Sequence, residues 1–287
     1  ATDQDIRELH IGILNMMPDA ALQPTERQFM RLVGSSNRIA QFYVHPFTIT
    51  GIERSEDTQR YINQYYRSFE EIAEEGLDAL IITGANVISS RFEDAPFWEE
   101  LTRVLEFARE NVTSTLCACL ATHAALKYFY GVERIGLKDK RWGVFPHRAP
   151  LGLHPLIRNV NTRLDVPHSR FNDIPRESFL EKDLRILIES AEAGVHLAVS
   201  EDCFRFVFFQ GHPEYDRNSL LKEYKREVLR YIQGESSDYP PLPLHYTSPQ
   251  AQNLALEFEK QVLGASNATE LATSFPEEAM AETIDNT

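Results

Sequence analysis

A doubly wound, mostly parallel α/β sheet in three layers is the fold class this sequence predicts, and three observations predict it. Over roughly the first 130 residues, apolar runs of strand length alternate with segments of helical period, as in a parallel sheet with crossover helices. The 287 residues are 43% hydrophobic and 25% charged, enough for a sizeable core without disulfides or metals. One apolar run, residues 113–119, passes straight into a helical segment, with Ala118 and Ala121 at the junction where a sharp turn needs small neighbours.

Taken in order, residues 9–16 (LHIGILNM) predict a first strand and residues 25–33 a helix with Phe29, Leu32 and Val33 on one face. Residues 39–44 are a second strand. Ser68-Phe69-Glu70-Glu71 is a capping box opening a short helix, because Ser68 can accept from a free amide while Glu71 reaches back. Residues 77–83 are a third strand, 97–110 an amphipathic helix, 113–119 a fourth strand and 120–130 a helix. After Gly131 shorter strands are expected through about residue 170, where Pro, His and Arg become frequent. Residues 184–188, 196–200 and 204–209 (FRFVFF) are late strands, two of them a hairpin. In residues 219–233, Leu220, Leu221, Tyr224, Val228 and Ile232 are spaced for one buried helical face. Residues 239–243 (YPPLP) form a stiff connection, and 251–263 a last helix. The expected organisation is a main domain over residues 1–235, a connection and helix over 236–264, and a disordered acidic tail over 265–287, where no basic side chain occurs.

The net charge of -14, from 29 basic and 43 acidic side chains, repels phosphate backbones and anionic lipid, so neither nucleic acid nor a membrane surface is an expected partner. Any anionic substrate needs a local basic site. Residues 113–130, the longest stretch of low charge, contain Ser114, Thr115, Thr122, His123 and Lys127 and make a poor membrane span. Cys117, Cys119 and Cys203 are too few and too unevenly placed for a disulfide framework, and the opening ATDQDIRELH has no signal-peptide pattern. A cytoplasmic location is the expectation.

Cys119 closes the fourth strand and opens the following helix. A thiol at such a turn has helix N-terminal amides beside it, which favour a thiolate and can bind an oxyanion. Taken alone, a cysteine in an apolar run is more often a small buried hydrophobe, the expectation for Cys117 two positions earlier. No second Cys/His pair supports a metal site here, and none is expected. After FRFVFF comes Gln210-Gly211-His212-Pro213-Glu214-Tyr215-Asp216. A thiol nucleophile needs a base and the base an orienting acceptor, and a histidine followed two residues later by a carboxylate has both parts. Together these two features resemble the Cys-His-Glu arrangement of the class I glutamine amidotransferase fold, a flavodoxin-like three-layer architecture.

A more specific resemblance runs through the chain in order. It is carried by Ile13-Leu14-Asn15-Met16-Met17-Pro18, Thr25-Glu26 with Gln28-Phe29, Thr83-Gly84-Ala85, Thr113-Ser114-Thr115-Leu116 with Cys119, Ala124-Ala125-Leu126, Pro167-His168-Ser169-Arg170, and residues 211–216. The set resembles the homoserine O-succinyltransferase/O-acetyltransferase family of methionine biosynthesis, over about residues 8–233. The resemblance implies that Cys119 is the acyl-accepting nucleophile, His212 the general base and Glu214 its orienting carboxylate. It implies that Lys140 and Ser169 contact substrate, and that Glu223 and Arg226 hold the amino acid. The last pair also has a rationale of its own, since residues three apart share a helix face and offer a carboxylate for an ammonium and a guanidinium for a carboxylate.

The chain departs from the family's pattern in places. Asp19-Ala20-Ala21 stands where basic residues are usual after Met17-Pro18. Asn86 replaces a proline, and Ile88 occupies the position that tunes the acyl pocket. A bulky Ile88 argues for a small acyl group, whereas Arg91 could pair with a succinyl carboxylate; succinyl is taken ahead of acetyl. The ending after Gly234 does not resemble the family's aromatic-rich one.

The implied reaction moves an acyl group from acyl-CoA, a co-substrate, through an acyl-cysteine to the γ-hydroxyl of homoserine, with no cofactor. The resemblance also implies a homodimer. The alternatives are a serine or other hydroxy-amino-acid acyltransferase, and a glutaminase-type hydrolase using the same triad.

Overall fold

The parallel part of the sheet is built first along the chain. β1 (Glu8–Leu14) is followed by α1 (Asp19–Ser36), β2 (Gln41–Phe47), α2 (Glu56–Tyr65), α3 (Phe69–Glu75) and β3 (Ala79–Ile82), then by α4 (Trp98–Asn111), β4 (Ser114–Ala118) and α5 (Leu120–Tyr130). A second run comprises β5 (Ile135–Arg148), β6 (Arg163–Asp173), α6 (Arg176–Leu180), β7 (Arg185–Ser190), β8 (Gly194–Val199) and β9 (Phe206–Phe209). It precedes α7 (Ser219–Ile232), α8 (Pro249–Gly264) and α9 (Glu277–Thr283). This computed structural model describes residues 8–37, 39–85, 91–150, 154–265 and 267–284. Among them the strands form one sheet in the order β2-β1-β3-β4-β9-β8-β7-β5-β6. Pairing is parallel from β2 across to β9 and antiparallel from β9 outward.

Strand alternation sends the parallel strands' side chains into two cores. Leu14, Leu80, Ile82 and Cys117 pack with Ile72 of α3, Leu101, Val104 and Leu105 of α4, and Ala124, Ala125 and Leu126 of α5. Ile11, Ile13, Ile81 and Ala118 face the other way, onto Phe29 of α1. Helices therefore cover both faces, the doubly wound arrangement the sequence predicts. The capping box also forms: Ser68 accepts from the Glu71 amide, and Glu71 accepts from the Ser68 amide at 3.0 Å. Helix α1 starts well before the expected Thr25, because Pro24 lies inside it and the Asp19-Ala20-Ala21 segment is helical.

Two expectations are corrected. The region after Gly131 holds long strands rather than short ones: β5 has 14 residues and β6 has 11, paired from Arg141↔Arg170 to Arg148↔Arg163. Their prolines obscured them. Pro167 is tolerated because β6 is an edge strand, where a missing amide breaks no inner ladder. The acidic C-terminal segment is also ordered over its described residues. A 3₁₀ helix (Ala268–Ser274) and α9 follow α8, and Phe275, Met280 and Ile284 are buried against Leu221, Tyr224, Val228 and Phe258. Mean composition hid three well-spaced apolar anchors that cover the buried face of α7.

The segment from residue 236 is likewise tied to the sheet. The Val144 amide donates to the Leu244 carbonyl at 2.9 Å, and the Leu244 amide to the Trp142 carbonyl at 2.8 Å. Gly143 permits this approach, since a Cβ on it would stand 2.2 Å from the Leu244 oxygen.

Candidate active site

Strand β4 ends at Cys119, where the backbone turns to φ 51 and ψ -113 before α5 begins. A non-glycine residue there costs on the order of 1–3 kcal/mol and persists only where its surroundings hold it. They do so here. The Cys119 amide donates to the Phe209 carbonyl at 2.7 Å, and the Cys119 carbonyl accepts from the Thr122 amide at 3.0 Å. The Thr122 hydroxyl lies 2.8 Å from the carbonyls of both Cys117 and Phe209, pinning α5 to β4 and β9. Gly84, just past β3, backs onto the thiol: a Cβ on it would lie 3.6 Å from the Cys119 Cβ. Cys119 is part-exposed, whereas Cys117 is sealed in the core and burial pushes its thiol pKa up. The two sulfurs thus occupy opposite environments.

The histidine loop leaves β9 beside this turn. Gln210 is buried and fully hydrogen-bonded. Its Oε1 accepts from the Ile174 amide at 2.8 Å and pairs with His123 Nε2 at 2.9 Å, and its Nε2 donates to the carbonyls of Val195 and Ile174 at 2.9 and 3.2 Å. Next, Gly211 allows the loop to lie flat, since a Cβ would sit 2.8 Å from both His168 Cε1 and His196 Nδ1. The His212 amide donates to the Pro167 carbonyl at 3.0 Å. His212 Nδ1 donates to Glu214 Oε1 at 2.8 Å, leaving Nε2 for other work. Burial by itself would lower the His212 pKa, but the Glu214 carboxylate and then the Cys119 sulfur outweigh it and hold the imidazolium well above its ordinary range. Cys119, His212 and Glu214 are therefore brought together.

Beneath the loop lies a floor of buried imidazoles, of which the sequence marked only His168, within the 167–170 run. His147 Nδ1 faces the Phe145 carbonyl at 2.8 Å and so carries a proton. Its Nε2 must then accept, at 3.2 Å, from His168 Nε2, which leaves His168 Nδ1 to accept from Arg170 Nη1. Neutral His147 and His168, each in one tautomer, satisfy this chain of contacts. Arg170 is anchored in turn on Asp173 Oδ1 at 3.0 Å and the Ala193 carbonyl at 2.7 Å. Burial and the Arg170 charge hold the His168 and His196 pKa values well below the ordinary range.

A second polar cluster adjoins Cys119, His212 and Glu214. Glu223, on α7, is buried; its Oε2 accepts from the Ser169 hydroxyl at 2.7 Å and pairs with Lys140 Nζ at 3.4 Å. Its Oε1 accepts from the Tyr215 hydroxyl. Burial opposes ionisation, but Lys140, Tyr215 and Ser169 together hold the Glu223 carboxyl below its usual range. Lys140 also lies 4.0 Å over the Trp142 ring. The structure thus brings Lys140, Ser169 and Glu223 together. Arg226 stands at the rim, its side chain 45% exposed and its Nε 3.5 Å from Glu227, close enough for its charge to act on Lys140. Arg91 is at the surface, 69% exposed and facing Glu93 and Asp94, and is not drawn into the cluster. Ile88 lies outside the described residues. Tyr215, stacked on His212 and bonded to Glu223, was missed as an individual residue; its only sequence signal was its place in the 211–216 stretch.

Among the described residues no group of three or more His, Cys, Asp or Glu side chains is arranged to hold a metal ion, and no helix is long and apolar enough to cross a membrane.

The family model described as homoserine O-succinyltransferase matches residues 1–287. A homoserine O-succinyltransferase from Methylobacter tundripaludum is 56% identical over 287 residues, all of this chain and 81% of its own length. One from Thioalkalivibrio nitratireducens is 57% identical over the same 287 residues and 81% of its length. Among solved structures, a glutamine amidotransferase from Thermotoga maritima superposes with a TM-score of 0.51 at 14% identity, covering 96% of this chain and 100% of that one. At that identity the likeness is one of fold.

Proposed function

This chain belongs to the homoserine O-succinyltransferase family, and from that premise we propose that it carries the succinyl group of succinyl-CoA on Cys119 and delivers it to the γ-hydroxyl of homoserine. It is an acyltransferase of methionine biosynthesis. The observation that carries the finer reading is the adjacency of two clusters: a nucleophile, base and orienting carboxylate at Cys119, His212 and Glu214, beside an anchor for an amino acid at Glu223, Lys140 and Ser169.

In the first half-reaction the Cys119 thiolate attacks the thioester carbonyl carbon. The new carbon–sulfur bond forms as the carbonyl π electrons move to oxygen, and the N-terminal end of α5, which begins directly after Cys119, stabilises that oxyanion through its dipole. The oxyanion collapses, CoA leaves as its thiolate, and the imidazolium of His212 supplies its proton. Exchange of one thioester for another is nearly balanced, so the protein's contribution is positioning and charge stabilisation.

In the second half-reaction the amino acid's ammonium is drawn to Glu223, and its carboxylate to Arg226 at the rim and Lys140 inside. Neutral His212 takes the hydroxyl proton as the oxygen attacks the acyl carbon, and the acyl–sulfur bond breaks to return the Cys119 thiolate. Glu214 keeps the His212 tautomer correct throughout. The burial of His212 and Glu214 limits the water that could compete with the hydroxyl.

The test crosses succinyl-CoA and acetyl-CoA with homoserine and serine and follows CoA release. Sustained release with succinyl-CoA and homoserine is the expected result. Preference for serine or for acetyl-CoA would overturn the substrate assignment. Ammonia from glutamine with no CoA release would replace the reading with a hydrolytic one.

A further inference from the structure

Resting on that reading of the site, we propose that Tyr215 is a positioning residue that joins the catalytic imidazole to the amino-acid anchor, its ring serving the first half-reaction and its hydroxyl the second. The two contacts come from different parts of one side chain. The ring stacks on His212 with centroids 4.2 Å apart and planes inclined by 18°. The hydroxyl donates to Glu223 Oε1. One side chain thus touches both the proposed base and a member of the anchor.

The arrangement has a chemical logic. Glu223 Oε2 is already occupied by Ser169 and Lys140, so Oε1 is the oxygen whose direction Tyr215 sets. A hydrogen bond to a carboxylate is stronger than one to a neutral acceptor and fixes the plane of the group. An incoming ammonium therefore meets a carboxylate already turned toward it, at a set distance from the ring that will take the hydroxyl proton. Burial and the nearby Glu223 and Glu214 charges push the phenol pKa well above its ordinary range, so the hydroxyl remains a donor. The ring, meanwhile, covers one face of His212 and limits its rotation away from Glu214. Because Tyr215 follows Glu214 directly in the chain, the loop that orients the base also places the link.

The two functions separate under substitution. Tyr215→Phe keeps the ring and removes the hydroxyl, whereas Tyr215→Leu removes both. Acyl-enzyme formation is read by the mass increment on the intact protein with succinyl-CoA alone, and the second step by steady-state kinetics in homoserine. For Tyr215→Phe, the rate of increment formation should stay within about twofold, while kcat/KM for homoserine falls roughly 10- to 100-fold, mostly in KM, as expected for one lost hydrogen bond to a charge. Tyr215→Leu should slow both steps. Equal losses in both steps for Tyr215→Phe, or no loss in either, would overturn the inference. The wild-type protein separates that failure from a failure of the underlying reading, because absence of the increment at Cys119 in the wild type removes the acyl-cysteine and the inference with it.

Discussion

The backbone of Gly211 rests directly on the ring of His168: a Cβ at Gly211 would stand 2.8 Å from His168 Cε1, closer than packed atoms come. His168 cannot move aside, because its two nitrogens are tied to Arg170 and His147. The height of the loop that bears His212 is therefore set by a buried imidazole.

Gly211→Ala must lift that loop and with it His212. A displacement near 1 Å in a catalytic base costs about 100-fold in rate. The expected outcome is a loss of about that size in kcat with a folded protein, checked by pairing kinetics with a thermal melt. Full activity in Gly211→Ala would show either that the floor does not set the position of His212 or that His212 is not the proposed base.

The same floor makes stability depend on pH. His168, His196 and His147 have folded-state pKa values below the ordinary 6.5, and His123 is pushed down to about 4, with burial the leading cause in each. The unfolded chain then binds more protons than the folded one as pH falls through 6.5, so folding free energy is lost by up to about 1.4 kcal/mol per group per pH unit. His212 does not offset this below 6.5: its folded pKa is raised, so both folded and unfolded forms are already protonated there. The charged neighbours facing the floor are Arg170 and the His212 imidazolium, which oppose protonation of His168 and His196, and Asp165, which favours it at His147. Urea unfolding at pH 7 and pH 5.5 should show a clear drop, reduced in His168→Gln; a pH-independent midpoint would contradict the neutral floor.

The two cysteines of β4 should behave differently. Cys119→Ser should abolish the donor-dependent mass increment. Cys117→Ser should retain it while losing about 1–3 kcal/mol of stability, because a hydroxyl replaces a thiol in a sealed apolar core. An increment that maps to Cys117 by peptide mass analysis would reverse the assignment.

Arg226 and Arg91 carry opposite expectations. Arg226→Ala should raise KM for the amino acid by roughly 10-fold or more, with acyl-enzyme formation largely intact, as for a lost carboxylate partner. Arg91→Ala should change neither half-reaction by more than about twofold, since its side chain is 69% exposed and faces Glu93 and Asp94. A selective loss of succinyl over acetyl transfer in Arg91→Ala would return it to the acyl pocket.

Met280→Ala tests the C-terminal cover. Met280 is fully buried, and truncation of such a side chain costs about 2–5 kcal/mol. A melt shifted down by several degrees is expected, and an unchanged melt would mean that α9 does not contribute to the core.

The parallel layer was legible from sequence because its signals are local. Apolar runs such as 77–83, the Ser68–Glu71 capping box and the 3.6-residue spacing of α7 each express their structure within a few residues. The three side chains that meet at the candidate site were locally marked for the same reason, Cys119 by its strand-to-helix junction and His212 and Glu214 by their spacing. What the sequence by itself determined was thus the layer and the chemical parts. Tertiary structure decided everything that depends on residues far apart in the chain. It sealed Cys117 and left Cys119 open, because the backbone turns at positive φ only under hydrogen bonds from β9 and α5. It gathered Lys140, Ser169, Tyr215 and Glu223 from β5, β6, the loop and α7, left Arg91 at the surface, and packed His147, His168 and His196 under Gly211. It ordered the acidic ending through Phe275, Met280 and Ile284. Burial is the common physical reason: whether a polar group is solvated, paired or held neutral depends on neighbours brought by the sheet order, and no local spacing encodes them.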